Sequence, residues 1–393
     1  MKSSEQIRKI IDETLAWLES VHGVSASVFS LYGEALALIA DNVGLSLYEE
    51  FCSYLNGQLR YENRILNNLY RLFSVEALDV YVYYTDSEHR LRAVIGTHSA
   101  YPFVEDSDFT SNTDPTLSVL NMSYELQPSH DNGLGLVLTL DDGSFVIYDG
   151  GFLESDADRI LNFLTQRNTR TDGICITAWI ITHGHEDHYG AFVWFLKKYH
   201  DLVKVKYFLL NPVNHCGEGK DYLATVSEMI DLYYPDATKL IPYTGMKFQF
   251  QNVRIEVLFT HQDILPLPVT CFNDASTITK ITSPDGTTLL VTGDIQTRSR
   301  SSLLQNNMRE YMKSDILQVP HHGDSGGTPD LYGLIDPHTV IYSTSNDKYG
   351  RIRGEDWALA PNAFLLKKMQ VKRVILADDG IKDILLTQKT FSD

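Results

Sequence analysis

Apolar positions recur every three or four residues over 5–18, where Ile7, Ile10, Ile11, Leu15 and Leu18 form one stripe between charged neighbours. The pattern predicts an amphipathic helix, with Ser3 or Ser4 placed to cap it. From Phe29 to Phe73 the chain stays rich in Leu, Tyr and Glu and free of proline, so a helical N-terminal region is expected over 1–75. The period then drops to two. ALDVYVYYTDSEHRLRAVIG reads as two strands around the turn-forming TDSE, giving a β-hairpin and linker over 76–115. Beyond it, GLGLVLTLDDGSFVIYDGG places two strands about Asp142-Gly143. The β-rich runs ICITAWIIT, VKVKYFLLN, VRIEVLFT, STITKITS, TLLVTGD, DILQVP, TVIYST and VKRVILA then alternate with helical DADRILNFLTQR and AFVWFLKKYH. Buried strands alternating with helices predict a layered α/β domain over 116–393.

Composition narrows the partners more than the fold. With 393 residues, 43% of them hydrophobic and 21% charged, the chain is of ordinary globular type and long enough for a large core. Charges interrupt the apolar positions of the first twenty residues, so neither a signal peptide nor a membrane anchor is expected and a cytoplasmic location is. The net charge of −18 repels anionic lipid and long duplex DNA, and it favours a small substrate. Cys52, Cys175, Cys216 and Cys271 stand singly, which predicts reduced thiols, with Cys216 in NHCGEG in the most exposed setting. The N-terminal helices offer a homo-oligomer interface or a lid.

The chemistry concentrates in ITHGHEDHYG, where His183, His185, Asp187 and His188 follow a buried strand and precede a helix expected to start near Gly190. Imidazoles and a carboxylate at one strand-to-helix turn suit Zn2+ or a neighbouring first-row ion. TLLVTGDI puts Asp294 at the end of another strand, and DILQVPHHGDSGG puts His321 and His322 at the end of a third. Ligand types at three strand ends predict one composite centre with room for two cations.

HGHEDH, TGD and HHG together resemble the metallo-β-lactamase superfamily of hydrolases, from about Gly133 to Asp383. NDASTITKI, VTGD, VPHHG and the strand leading to Ser343 and Asn346 are similar to its ComEC-like branch. The resemblance implies a four-layer αββα sandwich. It implies a first metal on His183 and His185 and a second on Asp187 and His188, with Asp294 bridging. His321, which directly follows Pro320, is the expected further ligand, with His322 as the alternative. Asp149 is expected to orient a ligand imidazole from behind. The third histidine that most of the superfamily gives the first metal has no clear counterpart. His261, Asn273 and His215 are the nearby candidates, and the open first site admits Mn2+ or Fe as well as Zn2+. Two cations would bring the pKa of a water near neutrality and supply hydroxide at pH 7, with Asp187 able to accept a proton. The ComEC-like resemblance favours a phosphodiester, nucleotide-like substrate. Lys348, Arg351 and Asn346 in NDKYGRIRG are its candidate binding residues, unless that run is a solvated loop. Acyl hydrolysis of a lactone or thioester, or a scaffold role around a structural metal, are the alternatives.

Overall fold

The computed structural model describes residues 114–122, 133–213, 216–242, 246–261, 269–296, 311–324, 326–353 and 371–387, the strands 78–85, 90–97 and 104–106, and positions 365, 367 and 369. The helices expected within 1–75 lie outside these residues. The chain divides into two compact units, one of Met1–Phe103 with Tyr243–Met246 and Gln262–Leu267, the other of Val104–Pro242, Lys247–His261 and Pro268–Asp393. In the first, β1 (Leu78–Thr85) and β2 (Arg90–Thr97) form the expected antiparallel hairpin, with Leu78 opposite Thr97 and Thr85 opposite Arg90.

In the second unit the chain runs through β3 (Val104–Asp106), β4 (Thr116–Val119), β5 (Gly135–Thr139), β6 (Phe145–Asp149), α1 (Glu154–Arg167), β7 (Ile174–Ile180), α2 (Glu186–Tyr199), β8 (Val203–Leu209), α3 (Leu223–Tyr233) and β9 (Thr238–Leu240). It continues through β10 (Lys247–Phe250), β11 (Val253–Phe259), β12 (Ile278–Thr282), β13 (Thr288–Val291), β14 (Ile316–Gln318), α4 (Pro329–Ile335), β15 (Thr339–Tyr342), α5 (Asn346–Arg353), β16 (Arg373–Leu376) and β17 (Lys382–Leu385). Among the described residues these strands form two mixed sheets, in the orders β17-β4-β5-β6-β7-β8-β9 and β16-β15-β14-β13-β12-β11-β10-β3. β6 through β9 are parallel, and so are β13 through β16. Their connections carry the helices, as parallel pairs require.

The sheets meet through apolar inner faces. Tyr148 of β6 shares a 2.9 Å hydroxyl hydrogen bond with Thr279 of β12, and Tyr207 of β8 stacks on Phe250 of β10 with ring centroids 5.6 Å apart. Phe145, Phe248, Phe250 and Phe259 are fully buried, each contributing roughly 1.5–3 kcal/mol of transfer free energy. On the outer face of the first sheet, α1 and α2 pack Ile160, Phe163, Phe192 and Phe195 into the cluster around Trp179. The Trp179 ring meets Phe192 and Phe195 edge to face at 4.8 and 4.9 Å, and its Nε1–H donates to the Asp149 carbonyl at 2.9 Å. The core thus fixes the end of β6, where the centre begins. This is the αββα arrangement expected from the sequence.

Two local expectations are corrected. α2 starts at Glu186, not near Gly190: His185 is extended at the cap and Glu186 and Asp187 occupy the first turn, where negative charge favours the helix dipole. NDKYGRIR forms α5 rather than a solvated loop, and Lys348 is buried in it. No helix among the described residues is long and apolar enough to cross a membrane. Cys175, Cys216 and Cys271 form no disulfide among the described residues, the first being buried and the other two half-buried.

Candidate metal centre

The centre lies where β6, β7, β13 and β14 end. Asp149 closes β6 with φ 56°, a left-handed backbone that is costly for any residue but glycine. Its fully buried carboxylate accepts the Thr182 amide at 2.7 Å, the Thr182 hydroxyl at 2.8 Å and Nδ1–H of His188 at 2.8 Å. Burial pushes the Asp149 carboxyl up, and the imidazole of His188 opposes that rise. With its proton committed to Asp149, the Thr182 hydroxyl can accept from Nδ1 of His183, 3.1 Å away. These partners, from which the tautomers are inferred, turn Nε2 of both His183 and His188 inward.

β13 and β14 deliver the opposite wall. The buried Gln318 side chain accepts the Thr292 amide at 2.8 Å and donates to the Gly293 carbonyl at 3.1 Å, tying the two strand ends together. Gly293 has φ 55°, and a Cβ there would lie 2.8 Å from Ser276 Oγ and 3.1 Å from Thr182 Cβ. Glycine is therefore the residue this approach admits. The amide of Asp294 then donates to Ser276 Oγ at 2.9 Å. After β14, His321 and His322 are both left-handed, with φ 50° and 52°. This double turn carries His322, not His321, into the centre, so the expectation that His321 enters is corrected. His322 Nδ1 donates to the Ser343 carbonyl at 2.8 Å, and its Nε2 faces inward.

Asp187, His188, Asp294 and His322 each present one donor atom within 4.8 Å of the others. His322 Nε2 lies 3.1 Å from Asp294 and 3.2 Å from Asp187, and His188 Nε2 lies 3.2 Å from Asp294. Yet His322 Nε2 and Asp294 Oδ1 are buried with no hydrogen bond of acceptable geometry among the described residues. Donors that converge without satisfying one another fit a cation. Burial disfavours charge on all four, but the cluster overrides it. Asp294 and Asp187 lift His322 to about 10 and, with Asp149, hold His188 well above the usual imidazole range. The two imidazoles in turn hold Asp187 and Asp294 low. A divalent cation bound here would take over from the imidazolium charges in balancing the two carboxylates, displacing protons as it binds.

His183 and His185 form a second pair beside this cluster, His183 Nε2 facing His185 Nδ1 at 3.2 Å and Asp294 Oδ2 at 4.0 Å. Burial, with His188 alongside, holds His183 well below the usual imidazole range and leaves its nitrogen a neutral donor. The four motif residues and Asp294 are therefore together. His261 is buried but stands outside the cluster, with burial holding it at about 4 and its Nδ1 lacking a partner among the described residues. Asn273 donates to Gln296 Oε1 at 2.7 Å, while its own Oδ1 is buried without a partner among the described residues. His215 lies outside the described residues.

Lys348 is 4% exposed, and its Nζ is 3.2 Å from Asp324, two residues beyond His322. The Asn346 amide donates to Asp378 at 3.0 Å, and Arg351 is exposed. Thr182, Ser276 and Ser343, which set the orientation of the donors, carry no ligand signature that the spacing alone could reveal.

The profile of the metallo-beta-lactamase superfamily matches residues 134–331, half of the chain. The chain belongs to the metallo-beta-lactamase superfamily. Within the superfamily it is similar to ComE operon protein 3 of Bacillus subtilis (strain 168), with 24% identity over 192 residues that make up 48% of this chain and 22% of that protein. The chain thus spans about a fifth of the length of this curated relative. Among solved structures it is similar to the metallo-beta-lactamase fold protein YhfI from Bacillus subtilis, with 13% identity, a TM-score of 0.43, and coverage of 69% of this chain and 100% of that one. It is also similar to CmlA, a diiron beta-hydroxylase from Streptomyces venezuelae, with 10% identity, a TM-score of 0.43, and coverage of 71% and 55%. The superfamily fold is that of metal-dependent hydrolases, and the cluster at its strand ends is its candidate metal site.

Proposed function

We propose that the chain is a two-metal hydrolase that cleaves a small phosphodiester. The observation that carries this reading is the buried convergence of Asp187, His188, Asp294 and His322, with unsatisfied donor atoms, beside the facing nitrogens of His183 and His185. In this reading His183 and His185 would hold one ion and Asp187, His188 and His322 the other, with Asp294 near enough to contribute to either. Divalent cations in such a site lower the pKa of water toward neutrality and polarise the oxygen of a phosphoryl or carbonyl group. The donor set suits zinc, and it equally accepts manganese or iron.

The chain's own residues supply orientation. Asp149, Thr182 and Ser343 fix the ligand imidazoles, so the donors need no rearrangement when an ion enters. Asp187 has the most open side chain of the cluster, 36% exposed against 2% or less for the other three. It is the carboxylate best placed to take a proton from water arriving from solvent. The phosphodiester is favoured by the likeness to ComE operon protein 3 and by Lys348, a buried cation beside the His322 turn that can hold a phosphate if Asp324 yields it. The net charge of −18 points to a nucleotide-sized ligand rather than a long duplex.

The test is hydrolysis of bis-p-nitrophenyl phosphate, p-nitrophenyl acetate and nitrocefin by chelator-treated protein, with zinc or manganese added back. Metal-dependent cleavage of the diester alone is expected. Cleavage of the ester or lactam alone would move the chain to acyl hydrolysis, and silence with all three would contradict the proposal.

A further inference from the structure

His185 has its outer nitrogen held by a residue that no motif announces. Nε2 of His185 lies 3.2 Å from Oε2 of Glu218, which also accepts the Phe272 amide at 2.8 Å. The seat of this carboxylate is constructed. Glu218 sits in a tight turn closed by a 3.0 Å bond from the Gly219 amide to the Cys216 carbonyl. The turn is stitched to the next segment by the Gly217 amide on the Val269 carbonyl at 3.0 Å and by a parallel bridge between Cys216 and Val269. A Cβ on Gly217 would lie 2.6 Å from the Thr270 carbonyl oxygen, so the turn reaches this position only with glycine there. At its base Asp221 accepts the Val213 and Leu223 amides, both at 2.8 Å, and packs where a Cβ on Gly184 would be 2.5 Å from its Oδ1. The Phe272 ring stands at 90° to the His185 ring, 5.6 Å between centroids.

We propose that Glu218 is a positioning residue for the first metal: it accepts Nε2–H of His185 and so leaves Nδ1 of that ring with its lone pair toward Nε2 of His183. The proposal rests on the two-ion reading above. Thr182, Asp149 and Ser343 do the same for His183, His188 and His322, and Glu218 completes the pattern. A carboxylate acceptor both fixes the tautomer and raises the basicity of the ligand nitrogen. That matters most at a first site with no third histidine among the described residues, because the two donors it has must do more of the binding.

The test uses the full chain, stripped with chelator and titrated with Co2+ or Zn2+ against a competing indicator, as wild type, Glu218→Ala and Glu218→Gln. Long-range 1H–15N spectra of the metal-free proteins report the His185 tautomer. Glu218→Ala should weaken one binding event by roughly 10–100-fold, leave the other within about twofold, and populate the opposite tautomer of His185. Glu218→Gln, whose amide oxygen still accepts Nε2–H, should recover most of both. Unchanged affinities with an unchanged His185 tautomer would overturn the proposal. So would equal weakening of both events with the tautomer retained, since that is the mark of a merely structural role. If the wild type takes up a single ion, the two-ion reading fails on its own, and the metal-free spectra still decide what Glu218 does.

Discussion

Replacing Asp149 by Asn exchanges one oxygen for an NH2 group and should reset a ligand from behind. The carboxylate accepts two bonds from Thr182 and one from His188 in a fully buried pocket, so the amide must choose an orientation. With its NH2 toward the Thr182 amide it buries two facing donors, at a cost of about 1–3 kcal/mol. With its oxygen there, the Thr182 hydroxyl can rotate to accept, but Nδ1 of His188 must give up its proton. The ring then carries the proton on Nε2, the atom that faces Asp187 and Asp294. We expect this second arrangement to win, because it orphans nothing and removes a buried charge. The metal-free protein should lose no more than about 2 kcal/mol, since charge-assisted hydrogen bonds become neutral ones. Metal affinity should fall roughly 10–100-fold, as for other disrupted outer partners of ligand histidines. Urea melts of the stripped protein, chelator-competition titration and 15N spectra of His188 measure the three quantities. Affinity within about threefold of wild type, with Nδ1 of His188 still protonated, would refute the reasoning.

Other consequences are equally open to measurement. His322→Ala should abolish uptake of one ion while His321→Ala spares both, which metal titration of the two variants checks. Gly293→Ala should destabilise the fold by about 1–3 kcal/mol in urea melts, because φ 55° and the 2.8 Å approach to Ser276 Oγ leave no room for a Cβ. Burial holds folded His261 at about 4, below the ~6.5 of an exposed imidazole, so between those values the unfolded chain binds more protons. The stability tied to neutral His261 is complete above pH ~6.5 and lost as the pH falls toward 4, about 3 kcal/mol in all. His261→Gln should remove that part of the difference between urea melts at pH 4.5 and 7.

The strands of the sandwich were legible because buried β runs such as ICITAWIIT and TLLVTGD are nearly continuous in apolar residues, whatever their neighbours. The centre was legible because its donors are concentrated at strand ends, where chain direction alone brings them together. What remained hidden depends on single backbone angles or distant contacts. His322 is chosen over His321 by two consecutive left-handed residues, which no local spacing reveals. The burial of Lys348 follows from α5 and from Asp324, and it contradicts the ordinary expectation for a lysine in a polar run. Thr182, Ser276 and Glu218 are isolated polar residues, and only the folded chain brings them against His183, the Asp294 amide and His185.

The proposed hydrolysis needs two ions acting together. Its most direct test is turnover of bis-p-nitrophenyl phosphate during stepwise return of zinc to stripped protein, with bound metal counted at each step. Activity should rise to a break at two equivalents per chain. A break at one equivalent, or metal bound at two equivalents without turnover at any point, would contradict it.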